Sequence, residues 1–377
     1  MEGDFIKIND WLLPLSWIYG AGVRLRNQMF EMGMLKSRSF DIPVISVGNI
    51  TVGGSGKTPH VEYLINLLRD KVKVAVLSRG YKRKSKGYML ATADTPMSDI
   101  GDEPYQMKKK FADIYVAVDK DRCHGIDQLT ANEETSDTDV ILLDDAYQHR
   151  YVKPGVNILL VDYHRLIMYD KLLPAGRLRE PQKGKARADI VIVSKCPAEL
   201  KPMEFRVITK AMNLFPYQKL YFTTLKYGSL RPIYGGEDRK LDTLTGDTSI
   251  LLLTGIASPQ QMIVDLKPYT ERITPLTFPD HHQYTDADID RINAEFEAMK
   301  GNDKMIVTTE KDNARLCGME GLSDEVKKNI YVLPVEVGFM LDQEEDFNEN
   351  IIGYVRKNSR NSILAKAKDD NKSENSD

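Results

Sequence analysis

Three cysteines, Cys123, Cys196 and Cys317, are all that 377 residues contain, and no two of them form a C-x-x-C pair. That scarcity excludes a disulfide framework and a paired-thiol zinc site, so free thiols in a reducing compartment are expected. Long apolar runs are also missing. No stretch reaches the roughly 20 apolar residues that span a bilayer, and no basic region, apolar run and small-residue cleavage site open the chain as in a secretory leader. The cytoplasm is the expected location. Net charge is only -3, which speaks against nucleic acid or another polyanion as partner. No internal repeat of fixed period is present. At roughly 100–200 residues per domain, a chain of this length is expected to form two domains rather than one.

What is present is a series of short apolar, β-rich runs: "IPVISVGN", "VKVAVLS", "DVILLDD", "VNILLVD", "DIVIVSK", "SILLLTGI", "KMIVTTEKD" and "IYVLPVEV". Their hydrophobicity is continuous rather than alternating, as in strands buried on both faces of a parallel sheet. Helical patterns lie between them. In "TDADIDRINAEFEAMK" the residues Ile289, Ile292, Phe296 and Met299 share one helix face, and Thr285 is placed to cap it. The fold class is therefore α/β. Glycine, charge and turn formers dominate residues 226–248, which separate a first domain over 41–225 from a second over 249–357. Residues 358–377 are too polar to bury anything and are expected to be a disordered tail. Residues 1–40 hold both tryptophans and a helix carrying Trp11, Leu12, Leu15, Ile18 and Tyr19, followed by Arg24 and Arg26. Such a helix either packs on its own domain or lies in a lipid headgroup layer.

One stretch carries chemistry of its own. In "VGNITVGGSGKTPHVEYL" an apolar strand runs into Thr51, Val52, Gly53, Gly54, Ser55 and Gly56, and then into a helix opening near Lys57 and Thr58. Glycines there let successive N–H groups converge on phosphate oxygens at the positive end of a helix. Lys57 would neutralise the β- and γ-phosphates, and the Thr58 hydroxyl would face Mg²⁺. The strict pattern G-x-x-x-x-G-K-[ST] wants glycine where Thr51 stands, so the loop is a variant. A second apolar strand, "VILLDDAYQH", ends in Asp144 and Asp145. Adjacent carboxylates repel unless a cation compensates, which points to metal binding. Asp144, first after the strand, is the favoured ligand. These features alone describe a Mg·ATP or Mg·GTP enzyme.

Further motifs extend that reading: "LLPLSWIYG" in the first helix, "SRGY" at 78–81, "GDEP" at 101–104, "DDAYQH" at 144–149, "LPAGRLRE" at 173–180, "DH" at 280–281 and "TEKD" at 309–312. With the phosphate loop they make the chain resemble the tetraacyldisaccharide 4'-kinases, or lipid A 4'-kinases, of Gram-negative bacteria, among which threonine at position 51 is ordinary. The resemblance implies transfer of the γ-phosphate of ATP, with Mg²⁺, to the 4'-hydroxyl of tetraacyldisaccharide 1-phosphate, giving lipid IVA. It implies a P-loop NTPase-like α/β/α sandwich joined by a hinge to a second, smaller α/β domain. Asp102 would accept the hydroxyl proton, aided by His281 from the second domain, with Lys57 on the phosphates. His282 is the neighbouring alternative to His281. Arg122, Gln148, His149, Arg179 and Glu180 match family positions near nucleotide and metal, Tyr81 matches one near the loop, and Glu103 and Asp280 stand beside the proposed dyad. The acyl chains of the acceptor favour membrane contact by residues 11–35, on the cytoplasmic face of the inner membrane, by a monomer without a protein partner. The basic run "RGYKRKSKG" is either a solvated loop or an attractor of the substrate's phosphate or an anionic leaflet. Against this kinase stand a nucleotide-dependent switch or partitioning ATPase, and a soluble sugar or nucleoside kinase.

Overall fold

A computed structural model describes residues 8–256, 259–316 and 319–359. Among these residues the strands form a nine-stranded and a five-stranded sheet. The larger one runs, edge to edge, Val335–Phe339, Lys219–Tyr227, Ile190–Ser194, Val156–Asp162, Val44–Asn49, Val140–Asp144, Val74–Ser78, Tyr115–Val118 and Met89–Leu90. Its interior pairs are parallel, and only the two edge strands run antiparallel. Alternate residues serve opposite faces. Ile45, Val47, Val74, Val76, Val140 and Leu142 meet Val61, Leu64 and Ile65 of helix Lys57–Leu68, whereas Val44, Ala75, Leu77, Ile141 and Leu143 meet Ile126 and Leu129 of helix Arg122–Ala131. Both sets are apolar, and the sequence runs are continuous for that reason.

The smaller sheet is ordered Ile273–Thr277, Ser249–Thr254, Lys304–Thr309, Ile330–Leu333 and Arg231–Pro232, parallel except for the last pair. It too is covered on both faces, with Leu251, Leu253 and Ile306 on one side and Ile250, Leu252, Met305 and Val307 on the other. Helix Asp286–Ala298 starts at the expected cap, Thr285 pairing reciprocally with Asp288, and buries Ile289, Ile292 and Phe296.

The chain passes between the sheets twice, and there the layout departs from the linear division expected above. Residues 226–248 contain Arg231–Pro232, a strand of the smaller sheet, and so are more than a linker. "IYVLPVEV" is broken by Pro334, which has no N–H to donate to a ladder. Ile330–Leu333 stays in the smaller sheet, and Val335–Phe339 returns to the larger one beside Lys219–Tyr227. Helix Glu344–Asn358 follows it and inserts Phe347, Ile351 and Val355 into the larger sheet's core. The two crossings touch where the Gly228 N–H donates to the Pro334 carbonyl at 3.1 Å. Cys123 and Cys196 are free thiols, while Cys317 and the tail from residue 360 lie outside the described residues.

The N-terminal helix Leu13–Glu31 is turned inside out relative to an ordinary surface helix. Its inward face carries Ser16, Gly20 and Phe30; Trp11, Trp17 and Ile18 are 92%, 70% and 71% exposed. Ser16 Oγ donates to Leu172 O at 3.0 Å and accepts the Ala175 N–H at 3.0 Å. The Tyr19 hydroxyl donates to Arg179 O at 2.7 Å.

Phe347→Ala removes a fully buried ring that ties the C-terminal helix to the larger sheet, and is expected to cost about 3–5 kcal/mol. Urea unfolding measures it; a loss below about 1 kcal/mol would show that the returning segment is dispensable.

Candidate active site

The register of the larger sheet sets Val47 opposite Asp144, so the phosphate loop and the acidic pair leave neighbouring parallel strands at the same edge. Ligands of open α/β sheets gather beyond the carboxyl ends of such strands. The loop is bent by Gly53 at φ +117° and Gly56 at φ +77°, and helix Lys57–Leu68 begins at once. Straps hold it open. Asn49 Nδ2 donates to Ser55 Oγ at 2.8 Å, Ser194 Oγ donates to Ser55 O at 2.9 Å, and Lys195 Nζ donates to Gly54 O. The segment bearing Arg179 runs alongside, with Val52 N–H donating to Arg177 O at 2.7 Å and Arg179 N–H to Ile50 O at 2.8 Å. Beneath the turn, burial pushes the His60 imidazole down to about 4. The neutral ring's Nδ1–H is thereby assigned as donor to Gly56 O at 2.7 Å, while Nε2 accepts from the Thr223 hydroxyl at 3.0 Å.

Asp144 is the last residue of its strand and is buried. Ser78 Oγ donates to its Oδ2 at 3.2 Å, but its Oδ1 has no hydrogen-bond partner. Burial, reinforced by the charges of Glu103 and Asp145, pushes this carboxyl up to about 7. Asp145, in left-handed backbone at φ +47°, behaves oppositely. Burial works to raise it, yet Lys57 Nζ at 3.6 Å and Arg179 Nη1 at 3.5 Å hold it below the ordinary carboxylate range. Buried Arg122 closes the strand end, donating to Asp119 O at 3.1 Å and Asp144 O at 3.4 Å; burial lowers its guanidinium to about 10. A buried carboxylate oxygen without a donor, next to a second carboxylate that Lys57 of the phosphate loop reaches, is a set of hard oxygens that suits Mg²⁺.

A second cluster joins the two sheets. Asp102 begins helix Asp102–Lys110, and His281 comes from the smaller sheet's side at φ +58°, with Nδ1 at 3.0 Å from Asp102 Oδ2. The Tyr81 ring lies 4.8 Å from the His281 ring, and the His281 N–H donates to Asp280 Oδ1 at 3.0 Å. Lys311 Nζ donates to Glu103 Oε1 at 3.1 Å and lies 3.4 Å from His281 Nε2. Burial works to raise the Asp102 carboxyl, but His281 and Arg315 outweigh it and leave it at about 2. His282 is engaged elsewhere, on Asp288 at 2.9 Å and against the Phe278 ring at 4.8 Å. Between the clusters runs a cleft floored by Gly54 to Thr58, with Glu103 and Lys311 on one wall and Leu225, Tyr227, Met262, Leu333 and Val335 forming an apolar slot.

The remaining candidates are one step back. Gln148 donates to Glu180 Oε1 at 3.3 Å and to the Asn49 carbonyl at the start of the loop. Arg179 Nη1 donates to Gln148 Oε1 at 3.4 Å, and Arg187 pairs with the buried Glu180 at 2.9 Å. His149 packs among other groups. Burial holds it at about 4, its ring lies 5.6 Å from that of Tyr151, and its neighbours include Asp121 and Cys123. The sequence reading passed over Lys195, Lys311 and Arg315. A cation just past an apolar strand marked the first, and the Glu-Lys-Asp run after another strand marked the second. Arg315 had only its helical i+3 spacing from Asp312.

Residues 8–356 match the model of the family described as Tetraacyldisaccharide-1-P 4'-kinase. The tetraacyldisaccharide 4'-kinase of Phocaeicola vulgatus is 61% identical over 363 residues, covering 96% of this chain and 99% of the relative. That of Bacteroides fragilis is 54% identical over 377 residues, covering 99% and 100%. The crystal structure of LpxK from Aquifex aeolicus in complex with ATP superposes with a TM-score of 0.68 at 31% identity, covering 91% of this chain and 98% of that one.

The raised Asp144 carboxyl has a consequence for stability. Below the ordinary carboxylate range the residue is protonated in both folded and unfolded chains and costs nothing; above about 7 the folded chain carries a charge that the unfolded chain bears more easily. Asp144→Asn is therefore expected to raise the melting temperature of the ligand-free protein at about pH 8, with a gain that shrinks toward about pH 4. Thermal melts at both values check this, and an equal or absent gain contradicts it.

Proposed function

The chain belongs to the tetraacyldisaccharide-1-P 4'-kinase family, and on that footing we propose how its residues share the reaction. It is an ATP-dependent kinase that phosphorylates the tetraacylated disaccharide precursor of lipid A at the 4' position. Gly53 to Thr58 cradle the triphosphate, and Lys57 faces its β- and γ-phosphates. Mg²⁺ held by Asp144, Asp145 and Thr58 would supply charge neutralisation at the transferring group. Lys57 and Arg179 keep Asp145 ionised for that task, and Arg122 and Ser78 fix Asp144. The apolar slot where the chain crosses between sheets takes the base.

Asp102 accepts the proton of the acceptor hydroxyl, and His281 orients it. The observation that carries this reading is the 3.0 Å contact between these side chains, which come from opposite sides of the cleft and meet at its edge. A carboxylate held near 2 is a weak base at rest. It suits a reaction in which the hydroxyl loses its proton as bonding to phosphorus develops. Tyr81 packs on the imidazole, and Lys311 bridges Glu103 toward the same ring.

We further propose that the bilayer covers the outward face of the N-terminal helix. No helix among the described residues is long and apolar enough to cross a membrane. Leu15, Trp17, Ile18 and Leu25 nevertheless stand exposed on the N-terminal helix, and Trp11 on the turn that precedes it, an apolar face unusual for a soluble surface. An acceptor bearing four acyl chains supports a working position at the cytoplasmic face of the inner membrane.

With ATP, Mg²⁺ and detergent-dispersed tetraacyldisaccharide 1-phosphate, the purified protein is expected to yield a product one phosphate heavier. Lys57→Met should abolish it. Asp102→Ala should lower turnover by roughly 10²–10⁴ while ATP binding persists; a variant running at wild-type rate removes Asp102 from the mechanism. Deleting residues up to 35 should release the chain from anionic vesicles in a sedimentation assay, and unchanged pelleting would disprove the membrane role of this helix.

A further inference from the structure

Arg315 is a buried cation that the phosphoryl-transfer reading leaves without a task. It projects from the short helix Glu310–Leu316, with its side chain 1% exposed. Its Nη1 donates to Gly255 O at 2.8 Å and to Asp312 Oδ1 at 2.9 Å. Asp312 is itself fixed, its Oδ2 accepting from the Gly255 N–H at 2.9 Å and the Thr309 hydroxyl at 2.8 Å. From this platform Nε donates across to Asp102 Oδ2 at 2.8 Å, and Nη2 lies 2.7 Å from the same oxygen. His281 Nδ1 also approaches Oδ2, whereas no hydrogen bond among the described residues engages Asp102 Oδ1.

We propose that Arg315 is a positioning residue for the proton-accepting carboxylate. Together with His281 it occupies Oδ2, fixes the carboxylate plane and leaves Oδ1 for the acceptor hydroxyl, but only while the two sheets are closed on each other. The inference rests on the kinase reading above. In the step it serves, the hydroxyl oxygen bonds to the γ-phosphorus and the hydroxyl proton passes to Asp102 Oδ1. The bond from that phosphorus to the bridging oxygen breaks, and its electron pair leaves on ADP. Both groups that grip Oδ2 belong to the smaller sheet, and Asp102 belongs to the larger, so opening withdraws them together. Asp312 stays beside Arg315 in either state, and separation therefore strands no unpaired buried cation. A base that is aligned only on closure limits transfer to water in the open cleft.

Other charged and titratable groups that face this carboxylate are Glu103 on its own helix, Lys311 and Asp280 about the imidazole, and Tyr81 against it. None of them contacts Oδ2. Removing Arg315 takes away one of the two influences that lower the Asp102 carboxyl, so the acid limb of kcat/KM should move to higher pH.

The test is a double-mutant cycle on the full chain with ATP, Mg²⁺ and dispersed tetraacyldisaccharide 1-phosphate. Arg315→Met should lower kcat by roughly 10–100-fold with KM for ATP nearly unchanged, and shift the acid limb upward; Arg315→Lys should restore most of the rate. In an Asp102→Asn background the same Arg315→Met change should cost little, because its effect runs through the carboxylate. A loss equally large in both backgrounds, or a wild-type rate and pH profile for Arg315→Met, overturns the proposal. Should Arg315→Met fail to fold, the cycle is run with Arg315→Gln, which keeps a polar donor beside Asp312 but removes the charge, and is judged by the same non-additivity. A fast Asp102→Asn enzyme would instead refute the base assignment itself, which separates the two failures.

Discussion

A carboxylate buried at the end of a strand beside a second carboxylate is a standing electrostatic cost, and the architecture around Asp144 and Asp145 is arranged to contain it. The cations come from three separate places in the chain. Lys57 arrives from the phosphate-loop helix, Arg179 from the segment strapped along that loop, and Arg122 from the helix behind the strand. Their effects divide the pair unequally. Asp145 is held ionised; Asp144, with an oxygen that finds no donor, is pushed toward neutrality. Such a balance of charge suits the divalent cation that the proposed phosphoryl transfer calls for.

The same economy of charge joins the two sheets. Their apolar clusters are separate, and the helices that meet between them, Asp102–Lys110 and Glu310–Leu316, exchange ion pairs in both directions. Lys110 reaches Glu310 at 2.8 Å, Lys311 reaches Glu103 at 3.1 Å, and Arg315 reaches Asp102 at 2.7 Å. Lys110 also grips Glu62 on the phosphate-loop helix at 2.6 Å. Contacts of this kind hold an interface without the area that a shared hydrophobic core would bury, so the halves remain free to part. The covalent side of the joint is narrow, two strands crossing beside each other at Gly228 and Pro334.

Much of this was legible in the sequence because it rests on local rules. Continuous apolar runs marked strands covered on both faces, Thr285 marked its helix, and the phosphate loop and the twin aspartates declared themselves by residue type. The pairing of Asp102 with His281 came from family resemblance, since no local rule links residues so far apart in the chain. What stayed hidden was also non-local. Nothing in "IYVLPVEV" says that its halves join different sheets, because Pro334 breaks a ladder without specifying where the chain goes next. Arg315 reads as an ordinary helical cation until the fold sets it against Asp102. His149, placed by its motif near the nucleotide, has a half-buried ring whose neighbours include Asp121, Cys123 and Tyr151.

The bond from Tyr19 to the backbone of Arg179 ties the N-terminal helix to the floor of the proposed active site, since the side chain of Arg179 rests on Asp145. If that helix lies in the headgroup layer, the reaction centre sits at a fixed height above the acyl chains. A sugar tethered by those chains then needs no extraction into water; it arrives by lateral diffusion, and the search for it becomes two-dimensional.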